Sequence, residues 1–185
     1  MGKREDILNA TLDLITEEGL QSLTFSKIFK TANVGSSTVY HYFQNKEELV
    51  SELFRTLRIH MGETIMNGYD PNLSIYQRTK TILKNTANYA LQFTKEQAFI
   101  ENHCQSPFIF EEIRTMSNPA INEFFAIIEE GQKHGIIREM DKVYCCQLVT
   151  GMITSVIKGY LEGKYPLDET LIQETIEACW RAIKV

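Results

Sequence analysis

The sequence predicts an all-helical chain in two parts: a three-helix N-terminal part holding a helix-turn-helix, and a larger helical C-terminal part. Three observations predict it. The 185 residues include only four prolines and few runs of alternating β-branched residues. Apolar residues recur at helical spacing in one segment after another. The stretch from Thr24 to Lys46 reads as two short helices, a tight turn between them, and the start of a third helix.

Composition bounds the partners. With 43% hydrophobic and 23% charged residues the chain has the make-up of an ordinary globular protein. A net charge of -5 argues against a general nucleic-acid coat, so any such binding has to come from a local patch. One local window fits. From Leu20 to Lys46 the lysines are Lys27, Lys30 and Lys46, and there is no Asp or Glu. Cys104, Cys145, Cys146 and Cys179 show no C-x-x-C spacing, and the N-terminus reads directly into helix. Free thiols in a reducing, cytoplasmic setting are expected. No stretch is apolar enough to span a bilayer, so no membrane partner is expected.

Taken in order, Lys3 to Glu18 forms a first helix with Ile7, Leu8, Thr11, Leu14 and Ile15 on one face, and Gly19 ends it. Lys3 and Arg4 read equally well as a short arm toward DNA and as a solvated terminus. Thr24 is a good N-cap for the next helix, whose stripe is Phe25, Ile28 and Phe29. Ala32-Asn33-Val34-Gly35 is the turn, with Asn33 as the left-handed position because Asn tolerates positive φ. The helix from Ser36 to Tyr42 opens on Ser36, Ser37 and Thr38, small polar residues that let it lie against a flat polar partner, as a reading helix lies in the major groove. Asn45 followed three residues later by Glu48 forms a capping-box arrangement, which puts Lys46 on the first turn of a new helix running to about Asn67.

Asn67 to Asn72 is the clearest break. Helices follow from Ser74 to about Thr94, from Lys95 to Cys104, from Phe108 to Met116 and from Ala120 to Lys133. The stretch from Asp141 to Gly163 is apolar on more than one face and so must be buried nearly all round. Within it Gly151, Ser155 and Gly159 recur every four residues, a stripe where another backbone can approach. Asp168 to Ile183 is amphipathic. These last two helices are expected to pair with the same two in a second copy, through Leu148, Gly151, Ser155, Gly159, Ile172, Ile176, Cys179 and Trp180. The competing reading buries them in their own subunit.

The run L-T-F-x-x-I, then A-N-V-G-S-S-T-V-Y-H-Y-F, then N-K-E-E-L resembles the TetR family of bacterial transcriptional regulators. The likeness runs from about Arg4 to Val50. It departs from the family's pattern at Asn33 (usually Gly), at Gly35 (commonly a capping Ser) and at Ser37 (often Gly), the last altering the groove-facing surface. The resemblance implies a DNA-binding domain over 1–46, with the helix-turn-helix at 24–43, and a ligand-binding and dimerisation domain over 47–185. It implies phosphate contacts at Thr24, Thr38, Tyr42 and Lys46, and places Ser36, Ser37, Tyr40 and His41 nearest the base edges. The expected partners are double-stranded DNA with a palindromic operator, a second copy in a homodimer, and a small apolar or amphipathic effector that releases a repressor. The effector cavity is expected among Met61, Tyr89, Phe93, Phe99 and His103, together with Phe108, Phe124, Tyr144 and Met152. The alternative for these residues is a plain aromatic core.

Other functions fare less well. No G-x-S-x-G, P-loop or G-x-G-x-x-G is present, and Glu111-Glu112 and Glu129-Glu130 are adjacent on helices and do not face each other, so no enzyme is expected. His103 and Cys104 lack partners at metal spacing, and no metal or cofactor is expected. A second reading is a helical interaction protein or coactivator that signals through protein contacts without an operator of its own; a third is a ligand-sequestering carrier.

Overall fold

The computed structural model describes residues 2–185, which form ten α-helices and no strand apart from one isolated bridge. They are α1 (Lys3–Glu18), α2 (Phe25–Thr31), α3 (Ser36–Tyr42), α4 (Lys46–Ile65), α5 (Ile75–Gln92), α6 (Thr94–His103), α7 (Glu111–Arg114), α8 (Pro119–Lys133), α9 (Lys142–Leu161) and α10 (Glu169–Ile183). A 3₁₀ turn at Leu20–Ser22, which no sequence signal marks, stands between α1 and α2. It follows Gly19, whose φ of 83° closes α1 as its lack of a Cβ allows. The helix read over Phe108 to Met116 is only the four-residue α7, because Ser106-Pro107 and the segment after it run as turns.

These residues divide into two compact units, and the division does not follow chain order. The first contains residues 2–60 and 93–116, the second 61–92 and 117–185. Helix α4 therefore contributes to both.

The core of the first unit gathers Ile7, Leu8, Leu20, Ile28, Val39, Phe43, Leu49, Leu53 and Phe54 with Phe99 and Ile109 from the later segment. That segment is held by specific bonds as well as by apolar burial. The fully buried Ser51 Oγ donates to the Phe108 carbonyl and accepts from the Phe110 amide, both at 2.9 Å. Arg58 donates to the carbonyls of Arg114 (2.9 Å) and Met116 (3.3 Å), groups that a short helix end would otherwise leave unpaired. Two hydrogen bonds at each anchor make this segment part of the N-terminal unit, whatever its place in the sequence.

In the second unit α5 packs against α8, α9 and α10, and α9 against α8 and α10. The helix starts carry side-chain caps. Asn118 Oδ1 accepts from Ala120 N, Asp141 from Tyr144 N, and Asp168 from Leu171 N. Asn85 Nδ2 donates to the carbonyls of Ile65 (2.7 Å) and Asn67 (2.8 Å), closing the C-terminal end of α4. The Ile137–Lys184 bridge ties the chain's end to the turn after α8. Among the described residues no helix is long and apolar enough to cross a membrane.

Candidate nucleic-acid interface

The turn between α2 and α3 is built as the residue types dictate. Thr24 accepts from Lys27 N and caps α2. Asn33 takes a φ of 50° and is the only described non-glycine residue with positive φ. Val34 N then donates back to Phe29 O at 3.1 Å. Val39 and Phe43, 0% and 2% exposed, anchor one side of α3 in the core. That fixes its rotation and turns Ser36, Ser37, Tyr40, His41 and Tyr42 to solvent, with Thr38 half-buried. Tyr40 has two roles. Its ring lies 5.1 Å from Phe25 and 5.9 Å from Phe29, yet the residue is 55% exposed. The aromatic pair on α2 is the platform that aims Tyr40, and its i, i+4 spacing was the signal for it. The His41 and Tyr42 rings meet edge to face at 5.2 Å.

The charges around this face are more committed than sequence suggests. Lys27 pairs with Glu18 and donates to Ser22 O at 3.1 Å. Lys46 Nζ donates to Leu20 O at 2.7 Å and sits 4.8 Å from the centre of the Phe108 ring. Arg4 is no free arm, since it pairs with Glu52, which also binds Arg55. The Arg55 hydrogen bond holds the Glu52 carboxyl below its ordinary value; burial opposes this, and the charges of Arg55 and Arg4 add to it. At the start of α4, Asn45 accepts from Glu48 N (2.8 Å) while Glu48 accepts from Gln44 N (2.7 Å). The reach-back thus goes one residue earlier than in a standard capping box. An open crevice of about 300 Å³ lies beside Tyr42, bordered by Arg4, Glu48, Glu52 and Phe110.

The residues expected around an effector are divided between the two units. Phe93, Phe99, His103 and Phe108 belong to the first unit; Met61, Tyr89, Phe124, Tyr144 and Met152 belong to the second. Phe99 is buried in the first unit's core, 6.4 Å from Phe54 and 5.1 Å from His103, whose imidazole burial pushes toward its neutral form. Tyr89 and Phe124 are buried in the second unit and Met61 and Met152 half-buried. Tyr144, on α9, is 60% exposed. In the second unit a seam among Ala87, Ile153, Val156, Ile157, Leu167, Ile172 and Thr175 encloses only about 10 Å³.

The residues of the expected pairing face differ in how far their own chain covers them. Ile176 and Cys179 are buried by their own chain, with Cys179 Sγ donating toward Val149 O at 3.6 Å. Gly159 is covered by Tyr165, whose hydroxyl donates to Val156 O at 2.6 Å. Ile176 and Cys179 face inward from α10, and Gly159 lies under the loop after α9. Gly151 and Ser155 are exposed, and Leu148, Ile172 and Trp180 half-buried.

A turn that holds a hydroxyl-rich, acid-free helix outward on an apolar three-helix base is a DNA-binding helix-turn-helix. The family model for bacterial regulatory proteins of the tetR family matches residues 7–53, and that for the tetracyclin repressor-like C-terminal domain matches residues 40–185. The chain belongs to the TetR family of DNA-binding transcriptional regulators, a non-enzymatic family. It is 26% identical over 181 residues to the HTH-type transcriptional regulator YhgD of Bacillus subtilis, covering 95% of this chain and 93% of that protein. In fold it is similar to a tetR family regulator from Shewanella sp. PV-4, with a TM-score of 0.87 at 19% identity over 100% of both chains. It is also similar to the regulator FadR from Bacillus subtilis, solved in complex with stearoyl-CoA, with a TM-score of 0.74 at 20% identity over 95% of this chain and 96% of that one.

Proposed function

We propose that this chain is a cytoplasmic repressor that binds a palindromic operator as a homodimer and releases it when a small apolar or amphipathic effector binds. The observation that carries the reading is the outward face of α3: Ser36, Ser37, Tyr40 and His41 are exposed beside half-buried Thr38, with no carboxylate on the helix. Ser and Thr hydroxyls both donate and accept, so they read base edges permissively, and sequence choice comes from doubling the half-site. Thr24, Thr38, Tyr42 and Lys46 take the phosphates and set the register. DNA reading is assigned to 1–46, and effector binding and dimerisation to 47–185.

The open face of α9 supports a second copy there. Val143, Tyr144, Tyr160 and Leu161 are exposed at its two ends, with Gly151 and Ser155 between them. The seam among α5, α9 and α10 supports an effector that must open its own space. Its 10 Å³ is about room for one water, whereas drug-sized ligands need several hundred. Because FadR is solved with stearoyl-CoA, a long-chain acyl-CoA is the first effector to test. To move the population from 1:99 to 99:1, the effector must favour the released state by about 5.5 kcal/mol.

The test is selection of duplexes from a randomised pool, followed by gel shift with and without stearoyl-CoA. A symmetric sequence whose complex dissolves on adding the acyl-CoA is expected. Recovery of no duplex would refute DNA recognition, and a complex indifferent to acyl-CoA would refute that effector class.

A further inference from the structure

We infer that Phe108, from the segment between α6 and α7, is a positioning residue for DNA binding: its ring holds the Lys46 ammonium ready at the start of α4. The inference rests on the DNA-binding reading above and assigns a means of control to the same face.

Lys46 is the first residue of α4 and sits where a phosphate would meet the helix N-terminus. A free lysine there would have to give up most of its rotamer freedom on meeting DNA, a cost that weakens the contact. Here much of that cost is met within the fold. Nζ donates one hydrogen to Leu20 O at 2.7 Å and stands 4.8 Å above the Phe108 ring, within cation–π range. An ammonium has three hydrogens, so with Leu20 O and the Phe108 ring as neighbours Nζ still keeps donor capacity for a phosphate oxygen. The ring is itself fixed, because Ser51 Oγ grips the backbone on both sides of Ile109, at Phe108 O and Phe110 N. Phe108 packs half-buried against the first unit's core.

The segment's place in the chain gives the contact its consequence. Residues 93–116 belong to the unit that holds α3, while the chain on either side, through α5 and from α8 onward, belongs to the other unit. Displacing the Phe108 ring would free Lys46 to many rotamers while every residue of α3 stays as it is. The structure thus assigns control of phosphate affinity to a side chain that itself touches no DNA.

Two measurements test this, both on the full chain. In protein carrying ¹³C-labelled lysine, the Lys46 ε-methylene resonance, identified by its loss in Lys46→Met, should be shifted upfield by the ring and return to the bulk position in Phe108→Leu. In a double-mutant cycle read by fluorescence anisotropy on a selected duplex, Phe108→Leu should weaken binding by roughly two- to tenfold, the worth of a partly exposed cation–π contact. The effect should vanish in a Lys46→Met background, and Phe108→Tyr should restore binding. An unshifted lysine resonance, or an equal loss in both backgrounds, would overturn the assignment. Failure of the unmutated chain to bind any duplex would instead remove the DNA reading, and this role with it.

Discussion

Replacing Ser51 by Ala isolates the anchor on which the 93–116 segment depends. The Ser51 side chain is fully buried, and its hydroxyl makes two 2.9 Å bonds, donating to Phe108 O and accepting from Phe110 N. Alanine removes both and leaves two backbone groups facing an apolar helix side. Each unpaired group costs about 1–1.5 kcal/mol, and alanine's better helix propensity returns about 0.5 kcal/mol, for a net loss of about 1.5–2.5 kcal/mol. Every 1.4 kcal/mol is a factor of ten, so the Phe110 amide should exchange on the order of 10- to 60-fold faster with deuterium. Site-resolved hydrogen exchange on native protein reads this directly. Amides in α9 and α10 should be much less affected, since local opening does not require the second unit to unfold. An unchanged Phe110 amide, or a uniform acceleration across both units, would refute the reasoning.

Three further outcomes follow from the geometry. Glu52 has a folded-state pKa below its ordinary value of 4.5, through the Arg55 hydrogen bond first. Its contribution to stability is therefore full above the unfolded-state pKa and is lost as pH falls through the lower folded-state value. Glu52→Gln should flatten the fall in melting temperature below about pH 4.5, and an unchanged acid limb would count against the Arg4–Glu52–Arg55 cluster. Gly159→Ala drives a methyl into the Tyr165 ring and hydroxyl and should cost about 1–3 kcal/mol in thermal unfolding. Gly151→Ala meets nothing within 4 Å in the single chain, so it should leave the subunit's fold intact yet, with the α9 face proposed to pair two copies, weaken self-association in sedimentation. Equal losses of melting temperature at the two glycines would contradict their different surroundings.

How legible the structure was depends on how local its causes are. The turn at Asn33, the cap at Thr24 and the stop at Gly19 each rest on one residue's backbone preference, and all three stand where the sequence placed them. The outward set on α3 was readable because Val39 and Phe43 sit on the opposite side of a short helix. The allegiance of Phe99 and Phe108 was hidden, since an amphipathic pattern says that a face is buried and not against what. Ser51 looked like an ordinary helix residue, because its partners lie more than fifty positions away. The small-residue stripe on α9 misled in part: Gly159 is small to admit Tyr165 of its own chain, while Gly151 stays uncovered. Lys46 was recognised by its place at a helix start, but its bond to Leu20 O depends on a 3₁₀ turn that no sequence signal announced.

The interrupted first unit has a consequence for transplanting reading heads between relatives. A cut after His60 would leave the donor without Phe99 and Ile109, which close the core beneath α1 and α4. A working chimera must carry residues 93–116 along with the first sixty, as two pieces stitched into the recipient at separate places. Evolution faces the same constraint, so substitutions in that internal stretch must stay compatible with a reading helix encoded more than fifty residues earlier.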